Sequence, residues 1–180
     1  AYTIDFRPGT ELKNNLNSRV SASPKLVAAP PRKRTGQLEL ARAVLGPDRP
    51  PLTSIYLGVG TPTMLSPTEL GELLASIRAR FDLAADLEIS IESNPDGLRP
   101  GQLAALRELG VTRISFGLQS VRRSVLRLLD RTHDPERALV AVADAQEAGF
   151  DHVSLDLIHG TPGERAEDWL ATVQAAIDSG

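Results

Sequence analysis

The chain has 180 residues, 41% of them apolar and 24% charged, with a formal net charge of −3, a composition suited to one globular domain with a sizeable core. No stretch reaches the roughly 18 apolar residues of a membrane-spanning helix. No basic-then-apolar leader opens the sequence either, so a cytoplasmic protein is expected. Cysteine is absent, which excludes disulfides, thiolate metal sites and cysteine-held iron–sulfur clusters within these residues.

The charge is unevenly spread. Residues 1–34 carry seven Lys/Arg against Asp5 and Glu11, a local +5, and the remainder carries −8. This basic arm lacks the interleaved aromatics of a single-strand nucleic-acid binder, and nucleic-acid binding is not expected. Tyr2–Phe6 reads as a short strand, but the rest of 1–34 has neither helical nor strand periodicity. The domain organisation expected is an irregular N-terminal segment over 1–34 followed by one domain over 35–180.

From Gly36 onward, strands and helices alternate. Leu38, Leu40, Ala41, Val44 and Leu45 form a helical stripe that stops at Gly46-Pro47. A strand over 54–59 follows, running into Gly58-Val59-Gly60-Thr61-Pro62, where glycines clear the backbone for a tight turn or a ligand. Ser66-Pro67-Thr68-Glu69 opens a helix with a capping box and a proline in its first turn. Leu70, Leu73, Leu74 and Ile77 are its buried face. Then come a strand over 87–92, a helix from about 100 to 109 ended by Gly110, and a strand over 112–119. An apolar helical turn (Val121, Val125, Leu126, Leu129) precedes a helix capped by Asp134-Pro135 that runs to Gly149. The last elements are a strand over 152–158 and a helix around Trp169–Ile177. Four strand–helix alternations with short connections predict an α/β fold with a parallel sheet.

Separating odd from even strand positions gives two faces, because alternate side chains point opposite ways. Ile55, Leu57, Val59, Ile89, Ile91, Ile114, Phe116, Leu118, Val153, Leu155 and Leu157 should lie against the helices. Ser54, Tyr56, Gly58, Gly60, Glu88, Ser90, Glu92, Ser115, Gly117, Gln119, Ser154 and Asp156 make the other face, followed by Ile158. A sheet covered on both sides would be apolar on both. A small, polar face with Glu92, Gln119 and Asp156 near the C-terminal strand ends describes a ligand-holding concavity.

Five ordered motifs carry a resemblance: Gly58-Val59-Gly60-Thr61-Pro62-Thr63, Glu92-Ser93-Asn94-Pro95, Ser115-Phe116-Gly117-Leu118-Gln119-Ser120, Arg131-Thr132-His133 and Asp156-Leu157-Ile158-His159-Gly160-Thr161-Pro162-Gly163. From about Leu38 to the end, the chain resembles the radical S-adenosylmethionine family that contains oxygen-independent coproporphyrinogen III oxidase and the heme chaperone HemW. The motif order and the short helix before Leu45 look closer to the HemW branch.

The resemblance implies a partial (β/α)6 barrel, incomplete at both ends, that binds S-adenosylmethionine across its top. By the same resemblance Val59, Gly60 and Thr61 would bring backbone to the ligand's methionine end, Val59 replacing a family glycine. Glu92, Gln119, Arg131 and Asp156 match ligand-contacting positions. Carboxylates accept hydrogen bonds from ribose hydroxyls or an ammonium, and arginine pairs a carboxylate. The family's [4Fe–4S] cluster is held by three cysteines that are absent here. No metal ligand or catalytic residue is therefore assigned, and radical chemistry is not expected of these residues unaided. Porphyrin or heme is implied as a partner by the resemblance alone. The alternatives are a non-catalytic heme-chaperone-like or S-adenosylmethionine-binding remnant of a truncated gene, and a phosphate-binding (β/α) enzyme using Gly160-Thr161-Pro162-Gly163.

Overall fold

The computed structural model describes residues 3–7, 25–27, 31–58, 60–131 and 134–180. Its sheet is six-stranded, in the order β2-β1-β3-β4-β5-β6. The strands are β1 (Thr3–Arg7), β2 (Lys25–Val27), β3 (Leu52–Leu57), β4 (Leu83–Ser93), β5 (Arg113–Gln119) and β6 (His152–Leu157). Every pairing is parallel. Helices α1 (Pro31–Leu45), α2 (Pro67–Arg78), α3 (Gln102–Glu108), α4 (Arg123–Leu128) and α5 (Pro135–Glu147) lie in the crossovers, and α6 (Ala166–Asp178) follows β6. This is the α/β, parallel-strand arrangement expected, with β2 and β6 at the edges of the described sheet.

Register divides the two faces as the alternation requires. Ile55 pairs with Ile89, Leu57 with Ile91, Ile91 with Ile114, and Ile114 with Val153. Ile55, Leu57, Ile114, Phe116 and Leu118 are fully buried. Most of them share one cluster with Leu70, Leu73, Leu74 and Ile77 of α2, Leu106 of α3, and Ala141, Val142 and Ala145 of α5. On the opposite face Ser54 pairs with Glu88, Tyr56 with Ser90, Glu92 with Ser115, and Gly117 with Asp156.

Local signals explain the boundaries. Ser66 caps α2: its hydroxyl accepts from the Glu69 amide, and the Glu69 carboxylate accepts from the Ser66 amide. Asp134 caps α5 through the Glu136 amide. Gly110 and Gly149 take positive φ just beyond α3 and α5, a conformation that glycine adopts without steric cost.

Some expectations need correcting. The first helix begins at Pro31, earlier than the apolar stripe suggested. Proline suits a first helical position and Arg and Lys are good helix formers, so the helix extends beyond its apolar pattern. Within that stripe Leu38 and Ala41 are buried, whereas Leu40 and Val44 are exposed. The segment 1–34 falls largely outside the described residues. Its described parts are β1, β2 and the start of α1, and β1 pairs with β3 inside the main sheet. No helix among the described residues is long and apolar enough to cross a membrane.

Phe116 of β5 belongs to the apolar cluster and has no solvent exposure. Phe116→Ala should lower unfolding free energy by about 3–5 kcal/mol, whereas Ser66→Ala should cost only about 1 kcal/mol. Urea denaturation checks both.

Candidate functional site

Most of the expected site residues sit at or just beyond the C-terminal ends of β3 to β6, and Arg131 follows α4. Beyond β3, Gly58 is buried and Gly60 takes φ 80°, turning the chain into a 3₁₀ turn at Pro62–Met64. Three buried polar side chains hold this turn. Gln102 Nε2 donates to the Thr63 carbonyl at 2.8 Å, and Gln102 Oε1 accepts from the Arg99 amide at 3.0 Å. The Thr63 and Ser93 hydroxyls bond each other at 3.1 Å. Gln102 and Ser93 were not anticipated from sequence as supports of this turn. A polar residue opening α3 reads as an ordinary helix start, and only the fold brings it to a turn 39 residues upstream.

Glu92, half-buried near the end of β4, accepts a hydrogen bond from the Tyr56 hydroxyl. Asp156, on β6, accepts from Ser115 Oγ at 2.9 Å. Gln119 ends β5 at φ 62°, where the register with β6 slips between Gly117 and Gln119. A non-glycine residue in the left-handed region is strained and typically kept at sites of function. Gly117 provides the space: a Cβ there would lie 2.8 Å from Gln119 Nε2. Arg131, exposed, follows α4.

These side chains enclose an open cleft of about 260 Å³, near the lower end of the roughly 300–1,000 Å³ of small-molecule sites. Gly60, Thr61, Glu92, Gln119, Arg131 and Asp156 all line it, with Ser115, Gly117 and Asn94 between them. Val59, Thr132 and His133 lie outside the described residues. The cleft is therefore lined by two carboxylate residues, one arginine and two carboxamide residues, Asn94 and Gln119. Among the described residues no cluster of three or more His, Cys, Asp or Glu could hold a metal ion.

A second polar group lies nearer the N-terminal strand ends of the same face. Glu88 accepts from Ser90 Oγ at 2.7 Å and pairs with Arg113 Nε at 3.1 Å. The Ser90 hydrogen bond, aided by Arg113 and opposed by burial, holds the Glu88 carboxyl below its ordinary value of 4.5. The loop after β6 closes on itself. Glu164 Oε2 accepts from the Gly160 and Thr161 amides at 2.7 and 3.3 Å. A phosphate at this turn would need those amides, so the phosphate-binding alternative loses its candidate.

The chain belongs to the Radical SAM superfamily, whose family model matches residues 30–176. It is 46% identical over 144 residues to the heme chaperone HemW of Mycobacterium tuberculosis H37Rv, covering 80% of this chain and 36% of that protein. It is 38% identical over 125 residues to HemW of Escherichia coli K12, covering 69% of this chain and 33% of that protein. Among solved structures, coproporphyrinogen III oxidase (HemN) from Escherichia coli, described as a radical SAM enzyme, superposes with a TM-score of 0.71. The sequences are 28% identical over 99% of this chain and 42% of that one. The chain thus spans about a third of the length of the curated relatives it matches.

The Glu88 carboxyl, lowered in the folded state, contributes stability above pH 4.5 that is lost as pH falls through its lower folded value. Melting temperature should therefore drop on acidification below about pH 4.5, and Glu88→Gln should flatten that drop. An unchanged acid limb in Glu88→Gln would contradict the pairing.

Proposed function

We propose that the cleft binds S-adenosylmethionine and that the chain is the ligand-binding portion of a HemW-like radical SAM protein serving heme or porphyrin metabolism. The observation that carries this reading is the convergence of Gly60, Thr61, Glu92, Gln119, Arg131 and Asp156 on one cleft. Five of them come from four successive strand ends and Arg131 from the segment after α4, and they are the described positions expected from sequence. Glu92 and Asp156 suit ribose hydroxyls or the amino group, Arg131 suits the methionine carboxylate, and Gln119 can donate and accept. The Gly60–Thr61 backbone approaches from the remaining side.

The family's cluster is a different matter. It needs thiolates, the 180 residues contain no cysteine, and the described residues hold no substitute group of His, Asp and Glu. These residues fit the nucleoside ligand and do not fit the cluster, so no radical step is assigned to them. Binding without turnover is the role proposed for these residues, in a heme-chaperone-like protein.

Calorimetry with S-adenosylmethionine is the test. Wild-type protein should bind it, and Glu92→Ala and Asp156→Ala should each weaken binding about tenfold or more, as loss of a hydrogen bond to a charged group implies. No binding, or binding indifferent to both substitutions, would overturn the reading. Anaerobic reconstitution with iron and sulfide should give no stoichiometric [4Fe–4S] absorbance. A stable cluster spectrum would refute the assignment of a cluster-free role.

A further inference from the structure

Tyr56 belongs to the polar face of β3 yet does not line the cleft itself. Its register partner on β4 is Ser90, so the next residues on the same face of the two strands are Gly58 and Glu92. The ring leans toward them. A Cβ on Gly58 would fall 2.8 Å from Tyr56 Cζ and 3.0 Å from its hydroxyl oxygen, so the phenol lies in the space that glycine leaves. From there the hydroxyl donates to Glu92 Oε1. Ser90, the buried neighbour between them, is turned to Glu88 instead.

We propose that Tyr56 is a positioning residue for the cleft: its phenol holds one oxygen of Glu92 and so fixes the rotamer in which that carboxylate meets a ribose diol. This rests on the nucleoside-binding reading above and adds to it a residue that does not itself touch the ligand. The chemistry suits the task. A tyrosine hydroxyl remains a donor at neutral pH, and a hydrogen bond to a carboxylate is charge-assisted and directional. A glutamate already immobilised loses less freedom when a ligand arrives, an advantage of roughly three- to tenfold in affinity. Gly58 belongs to the same device, because any side chain there would displace the ring.

The test joins a readout on the free protein to one on the complex. Protein labelled with 13Cζ-tyrosine carries two probes, Tyr2 and Tyr56, and Tyr2→Phe assigns them. The Tyr56 Cζ resonance should move on Glu92→Gln in the absence of ligand. In calorimetry with adenosine and with S-adenosylmethionine, Tyr56→Phe should weaken binding three- to tenfold. Tyr56→Phe/Glu92→Gln should bind no more weakly than Glu92→Gln alone. An unmoved resonance would overturn the inference, as would wild-type affinity in Tyr56→Phe or fully additive losses in the double variant. Wild-type protein that binds neither ligand would sink the nucleoside reading. The Cζ shift alone would then decide whether Tyr56 holds Glu92.

Discussion

The constraint on which the structure depends is the in-register pairing of parallel strands whose side chains alternate between two unlike faces. Ile91 lies between Leu57 and Ile114, and Glu92 beside Ser115. Sliding β4 by one residue would turn Ile89 and Ile91 toward the cleft and put Glu88 and Glu92 into the apolar layer. Burying an unpaired carboxylate costs far more than any hydrogen bond the cleft makes, so core packing fixes the register. The cleft inherits its geometry from the core. Four parallel strands in fixed register bring the polar residues near their C-terminal ends onto one face without any of those residues needing to attract another.

That dependence explains what was legible in the sequence. Period-two alternation is local and survives in single strands, so Glu92, Gln119 and Asp156 could be assigned to one face before any fold was known. The capping box at Ser66 and Glu69 and the cap at Asp134 are local too. What escaped was long-range or lay outside the pattern. Gln102 reaches Thr63 across 39 residues, and Tyr56 reaches Glu92 across 36. Neither separation has a sequence signature. The exposed Leu40 and Val44 have the spacing of a buried stripe, and only the placement of α1 shows that its core face is narrower.

Glycine acts on this face in a way that its turn-forming reputation obscures. Gly58 and Gly117 are not at positive φ. Each instead clears space for a side chain two residues away along the chain, Tyr56 in one case and Gln119 in the other. Successive residues on one strand face are close enough for a long side chain to lie along the backbone if its neighbour is bare. Both glycines thereby convert a side chain that would stand off the sheet into one aimed along it. At Gln119 the left-handed backbone and the register slip add to the effect, placing a strained residue in the wall of the cleft.

At and just beyond the slip, two adjacent residues serve opposite sides of the sheet. Gln119 lines the cleft. Ser120, fully buried, bonds the Thr172 hydroxyl of α6 at 3.2 Å, and the same hydroxyl accepts from the Val121 amide. Arg122 then pairs with Asp168, one turn earlier on α6, at 2.9 Å. Asp168 also pairs with Arg165, whose hydrogen bond holds its carboxyl below the ordinary value against the opposing effect of burial. The segment that presents Gln119 is thus fastened from behind by the last helix. A strained backbone persists only when its surroundings over-determine it, and Ser120, Val121 and Arg122 supply those restraints within three residues of the strain. In this Gln-Ser pair at a strand end, the glutamine then faces the cleft, and the serine carries the attachment that keeps the glutamine in place.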